Sequence, residues 1–271
     1  MAKGMIYHKT DEEIELIRQS CLLVSKTLAH VGSILKPGIT GSQIDAEAEQ
    51  FIRDHEGAIP GFKGYHDFPS TLCISKNEVV VHGIPDDQPF TEKDIVSVDC
   101  GVYWNEFYGD AAYTFAFNDI SDEVKKLLKV TKDSLYKGIE QAIPGNRIGD
   151  ISYAIQSYAE KEHGYGIVRE LVGHGIGRNL HESPEVPNYG SRGKGTKLQS
   201  GLVIAIEPMV NLGTKRVAQG DDGWTIRTKD KKQSGHYEHT IAVKESGPDL
   251  LSTHEYVEEA VKNNQYLSEI E

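Results

Sequence analysis

Two short apolar runs, each ending on a carboxylate, constrain this chain more than any other feature. Ile95-Val96-Ser97-Val98-Asp99 is echoed 108 residues later by Val203-Ile204-Ala205-Ile206-Glu207, and neither run contains Lys or Arg. Runs of this length and composition read as buried strands. A carboxylate carried into a core without a partner either costs several kcal/mol or gives up its charge. A cationic group is therefore expected at both strand ends, and the repetition points to one site shared by two related halves.

The echo extends upstream. Pro37-Gly38 is followed by Ile44 and Gly57, and Pro144-Gly145 by Ile151 and Gly164, at a constant offset of 107. Between these markers Ile44, Ala48, Phe51 and Ile52 have helical spacing, as do Ile151, Ile155, Tyr158 and Ala159. Thr40 or Ser42 is expected to cap the first helix, and Asp150 or Ser152 the second. Asp11-Glu12-Glu13-Ile14 and Ser121-Asp122-Glu123-Val124 each open a further amphipathic segment with acids in its first turn. His82-Gly83-Ile84 against His174-Gly175-Ile176 is a weaker echo at a different offset. The pattern predicts one α+β catalytic domain over residues 1–271, built from pseudo-symmetric halves at about 10–117 and 118–250. The segment 252–271 reads as a final helix with a frayed end.

Asp110 lies 11 residues after Asp99, so a tight turn centred between Trp104 and Asn105 would set the two acids directly opposite each other. A longer loop would instead leave Asp110 in solvent. By the duplication, Glu207 should face Glu238, which opens Glu238-His239-Thr240-Ile241-Ala242-Val243. Four carboxylates around one pseudo-axis are balanced by two divalent cations better than by protons or a single Arg.

His174 stands among three glycines in Gly173-His174-Gly175-Ile176-Gly177, a backbone that must pass close to something rigid. Imidazole beside carboxylates suits Mn, Fe, Co or Zn rather than Mg or Ca alone. His239 follows one of the acids, so it should point to the other face of its strand and be structural. Such a centre holds a water and lowers its pKa, the chemistry of a two-metal hydrolase. A histidine that is not a ligand can then serve the oxyanion or the leaving group, and His82 and His181 are the free candidates. Gly173-x-Gly175-x-Gly177 does not fit the phosphate-cradling GxGxxG pattern.

Composition narrows the alternatives. A formal net charge of −12 argues against sequence-independent nucleic-acid binding. No apolar stretch approaches the ~20 residues that span a bilayer, and the first residues lack the apolar core of a signal peptide, so a cytoplasmic protein is expected. Cys21, Cys73 and Cys100 are odd in number and widely spaced, which suits neither a disulfide framework nor a zinc motif.

The order Asp99, Asp110, His174, Glu207, Glu238, within IVSVDCG, FYGDAAYTF, GHGIGRNLHE, IAIEPMV and YEHTIAV, resembles the type I methionine aminopeptidases from about residue 10 to about 250. The resemblance implies the pita-bread fold: a curved antiparallel sheet with helices on its outer face and a dinuclear metal site on its concave face. It implies that Asp99 chelates one metal, that His174 and Glu207 bind the other, and that Asp110 and Glu238 bridge both. It gives His82 and His181 substrate-binding and proton-handling roles, with Glu207 doubling as acid/base group. It lines the methionine pocket with Tyr65, Phe68, Cys73 and Trp224, and matches Asn77, Val79 and Ser234 to a monovalent-cation site for Na or K. Leu180 stands where a Phe is usual and Phe62 where a small Cys is usual. The implied substrates are nascent chains with N-terminal Met and a small second residue, met by a monomeric enzyme at the ribosome, although no basic patch marks a ribosome contact.

Spacing argues against the other branches of the superfamily. Fewer than 100 residues precede Asp99, whereas prolidases carry a sizeable N-terminal domain. Only 30 residues separate Glu207 from Glu238, too few for the insertion of type II enzymes. A dipeptidase or Xaa-Pro aminopeptidase remains the alternative enzyme, and a binding protein that kept the fold the alternative class.

Overall fold

A computed structural model describes residues 4–270. Helix α1 (Asp11–Ile34) buries Ile14, Ile17, Cys21, Val24, Leu28 and Val31, an alternating three- and four-residue spacing that makes one continuous stripe. Thr10 caps it through a reciprocal capping box with Glu13. Helix α2 (Gly41–Arg53) is capped by Thr40, one of the two expected candidates. Five strands follow: β1 (Ile59–Pro60), β2 (Leu72–Lys76), β3 (Val79–Val81), β4 (Ile95–Trp104) and β5 (Phe107–Ala116). The stripe of α1 packs on β4 and β5. Contact is closest at Gly109, where a Cβ would lie 2.4 Å from the Cys21 backbone nitrogen.

The second half opens with α3 (Asp122–Ile139), capped by Ser121, and α4 (Ile148–Gln156), which runs into a π-helical turn at Ser157–Glu162. Neither Asp150 nor Ser152 is the cap of α4. Arg147 holds that position, Asp150 accepts its backbone N–H at 2.8 Å, and Ser152 donates back to the Ile148 carbonyl. Backbone bonds from Ile148 to Thr196 and from Gly149 to Lys194 satisfy the first N–H groups of the helix, which begins before either expected cap. Ten strands then alternate with loops: β6 (Gly166–Ile167), β7 (Gly173–Gly175), β8 (Glu182–Val186), β9 (Val203–Ile206), β10 (Met209–Asn211), β11 (Val217–Gln219), β12 (Ile226–Thr228), β13 (Ser234–His236), β14 (His239–Lys244) and β15 (Gly247–Leu250).

Strand β4 pairs antiparallel with β1, β2 and β5, and the order β15-β14-β9-β7-β8 forms the largest sheet of the second half. Side-chain and backbone bonds stitch β5 to the β13–β14 segment. The Glu238 N–H donates to the Ala112 carbonyl at 3.0 Å, and the Thr114 hydroxyl exchanges bonds with the backbone of His236. Apolar residues from both halves join in one core, from Val24 and Leu28 to Ile204 and Ile241.

The β4–β5 hairpin corrects one expectation. Its turn is Asn105-Glu106, with Trp104 opposite Phe107, so Asp99 pairs with Ala112 and Gly101 with Asp110. Both turn residues have positive φ, 50° and 66°, the two-residue loop whose twist matches that of the flanking strands. Asp99 and Asp110 therefore share a face as diagonal neighbours rather than as a directly opposed pair.

The C-terminal segment is a second correction. Helix α5 (Glu255–Asn263) forms as expected, but the residues after it are docked rather than frayed. The Asn264 amide donates to the Gly32 and Leu35 carbonyls at the end of α1, where no basic side chain serves them. Leu267 bridges Phe117, the Ser268 N–H donates to the Ala116 carbonyl, and Ile270 is buried. Glu271 lies outside the described residues. Among the described residues no helix is long and apolar enough to cross a membrane.

Candidate metal and substrate site

The five residues expected to act as ligands come from five different places in the chain. Asp99 sits midway along β4, Asp110 on β5, His174 at the centre of β7, Glu207 just beyond β9, and Glu238 between β13 and β14. All five line one cavity of about 320 Å³. Ligand atoms of Asp110, His174 and Glu238 lie within 4.8 Å of one another. The His174 Nε2 is 3.7 Å from Asp110 Oδ2 and 3.6 Å from Glu207 Oε1. Glu207 and Glu238 flank the last pair of the β9–β14 ladder, Ile206 opposite His239.

Burial dominates the electrostatics. It pushes Asp99 up to about 7. Burial raises Asp110 well above the usual carboxylate range, helped by the charges of Asp99 and Glu207. Glu207 and Glu238 are raised for the same reasons, burial first and neighbouring acids second. Burial and the nearby His181 hold His174 down at about 3, so its ring is neutral. Its Nδ1 faces the Gly175 carbonyl at 2.9 Å, an acceptor only. Nδ1 therefore carries the proton and Nε2 keeps its lone pair, the tautomer a metal ligand needs.

These residues fit a divalent metal centre. Asp99 Oδ1, Asp110 Oδ1 and Glu238 Oε1 are buried without a hydrogen-bond partner among the described residues. No Lys or Arg lines the cavity among those residues. Four clustered acids, three of them with an orphaned oxygen, and one neutral imidazole form a mixed oxygen and nitrogen donor set for borderline cations.

The expected substrate residues surround the acids. His82 follows β3 at φ 56°, a strained value for a non-glycine residue, and burial lowers its imidazole. His181 lies edge-on to His174 at 4.3 Å between ring centroids, and burial, then His82 and His66, hold it at about 4. Tyr65 lines the cavity as expected and also places its hydroxyl 2.9 Å from His181 Nδ1. Phe68, Cys73 and Trp224 complete the wall, with Phe68 and Trp224 in an edge-to-face contact at 5.1 Å. Phe62 and Leu180 line it too. His239 is structural as expected: it bonds Ser252 and Tyr136 and stacks on His254.

Two residues escaped the sequence reading. His236 is buried with its Nε2 3.9 Å from Glu207 Oε2, and its position two before Glu238 on an extended segment was a signal. His66 lines the cavity from a turn at φ 47°, which no periodicity announces. Of the monovalent-cation candidates, Ser234 donates its N–H to the Asn77 carbonyl at 2.9 Å. Its hydroxyl meets Asn211 at 2.8 Å, and Val79 is opposite Arg227.

Residues 15–245 match metallopeptidase family M24. The chain belongs to this family, and its fold is the family's pita-bread fold. A prolidase from Pyrococcus horikoshii OT3 shares that fold at 22% identity and a TM-score of 0.75, covering 92% of this chain and 64% of its own. Within the family the chain groups with the bacterial methionine aminopeptidases. It is 51% identical to the methionine aminopeptidase of Clostridium acetobutylicum over 92% of this chain and 99% of that one. The crystal structure of methionine aminopeptidase from Rickettsia prowazekii superposes with a TM-score of 0.90 at 40% identity, covering 92% of this chain and all of the other.

Proposed function

We infer that this protein removes the N-terminal methionine of nascent polypeptides, using two divalent cations held by Asp99, Asp110, His174, Glu207 and Glu238. The supporting observation is the convergence of these five side chains in one cavity that also has an apolar wall of Tyr65, Phe68, Cys73 and Trp224. Asp99 would hold one cation and His174 with Glu207 the other, while Asp110 and Glu238, whose ligand atoms lie within 4.8 Å of one another and of His174, would be shared between them. Cations drawn from Co, Fe, Mn or Zn would supply Lewis acidity at the scissile carbonyl and a more acidic water at neutral pH.

The chain's own residues supply binding and proton handling. His82 and His181 are neutral near pH 7 and hydrogen-bond the scissile amide. The hydrogen bond between the Tyr65 hydroxyl and His181 Nδ1 orients the ring and leaves Nε2 to face the substrate. The Glu207 carboxyl carries a proton from the attacking water to the leaving amine. The apolar wall receives the methionine side chain, and preference for a small second residue is steric.

The same inference covers organisation and setting. The chain is one catalytic domain in two halves, about 10–117 and 118–250, supported by glycines of positive φ at matching places: Gly38 and Gly145 at 91° and 96°, Gly57 and Gly164 at 80° and 76°. It acts as a cytoplasmic monomer on chains emerging from the ribosome, with a Na or K ion at Asn77, Val79 and Ser234. The test is turnover of Met-Ala-Ser against Met-Leu-Ser and Xaa-Pro peptides, with cation returned after EDTA treatment. Fast metal-dependent release of methionine from Met-Ala-Ser alone supports the reading, and preferred cleavage of Xaa-Pro overturns it.

A further inference from the structure

A buried ion pair lies directly behind the loop that carries His181. Lys9 Nζ meets Glu182 Oε2 at 2.5 Å, with the two side chains only 5% and 4% exposed. Glu182 is the residue after His181 and the first of β8. Its other oxygen, Oε1, accepts the Asn179 N–H at 3.2 Å and so closes the loop 177–181 on itself. The far end of that loop is pinned to β5, where the Tyr108 N–H donates to the Gly177 carbonyl at 2.8 Å.

Lys9 is itself held in place. Its N–H donates to the Gly201 carbonyl at 2.7 Å, Ile6 bridges Ser183, and His8 bridges Leu202. The segment before α1 thus runs as a strap along the starts of β8 and β9. The pair packs against Gly177, where a Cβ would stand 2.6 Å from Lys9 Cε and 2.8 Å from Glu182 Oε1 and would displace one of the two side-chain ends.

We propose that Lys9 is a positioning residue for His181, acting through Glu182. The ring of His181 is fixed inside the cavity by Tyr65, and its backbone is fixed from behind by the Glu182–Lys9 pair. Removing one partner of a buried pair leaves the other charge uncompensated. The Glu182 carboxylate then moves toward solvent, and His181 loses its rear anchor. The proposal rests on the reading that His181 contacts the substrate.

The test is a double-mutant cycle on the metal-loaded enzyme with Met-Ala-Ser. Lys9→Met and Glu182→Gln are each made alone and with His181→Ala, and kcat, KM and metal content are measured. Each single variant is expected to lower kcat roughly ten- to hundredfold, the scale of a small misplacement, with KM and metal content kept. In the His181→Ala background neither should lower kcat further, and Lys9→Arg should keep most activity. Glu182→Gln, which preserves size and the acceptor for Asn179, carries the test if Lys9→Met does not fold. An equal loss in both backgrounds, no loss in either, or loss of bound metal overturns the proposal. A wild-type enzyme that releases no methionine refutes the proposed function itself. Full activity of His181→Ala refutes only the role of His181 and the positioning role built on it.

Discussion

The hydroxyl of Thr240 donates to the backbone carbonyl of Asp110 at 2.8 Å, tying the strand that follows Glu238 to the strand that carries Asp110. Both residues are buried, so the bond fixes two acids from opposite halves of the chain relative to each other. Thr240→Val keeps the shape and removes the donor. It is expected to cost about 1–3 kcal/mol, because the Asp110 carbonyl is left unsatisfied. Denaturant unfolding of the metal-free protein measures this, and a metal titration should show weaker binding.

The acids titrate in a direction set by burial. In the metal-free fold their pKa values are raised, so their contribution to stability is present in full below about pH 4, the unfolded carboxylate range. It is lost as pH rises, through about 7 for Asp99 and in the same direction for the other three, which burial also raises. A bound cation requires ionised ligands and reverses this trend. The rise in Tm on adding metal should therefore be larger at pH 8 than at pH 6, with protons released on binding. Calorimetry in buffers of different ionisation enthalpy measures the release, and a thermal shift independent of pH would contradict the assignment.

Asp99→Asn and Glu207→Gln each replace an acid by an amide of nearly equal size. Under limiting metal both should lose most activity together with bound metal, read by elemental analysis. Full activity in either variant would remove that residue from the metal set.

His82→Ala should behave differently. His82 lines the cavity without belonging to the acid cluster, so the variant is expected to lose mainly kcat while metal content is retained. Loss of metal instead would make His82 a ligand.

Much of this site was legible because period and repetition are local signals. The runs ending at Asp99 and Glu207 read as strands, and β4 and β9 are strands. The Asp99–Asp110 register is not legible, because it depends on which two residues adopt left-handed turn geometry. Asn105-Glu106 does so where Trp104-Asn105 was expected. The docking of residues 264–270 and the Lys9–Glu182 pair were not legible, since each joins positions far apart in sequence and has no periodic signature. His236 is legible in principle from its place two residues before Glu238.

Protein stripped with EDTA and titrated with Co or Mn, while free methionine from Met-Ala-Ser is measured, shows whether these acids hold two divalent cations needed for methionine release. Activity should be absent after stripping and return with metal, and binding should saturate at two equivalents per chain. Methionine release that survives complete stripping would contradict the account.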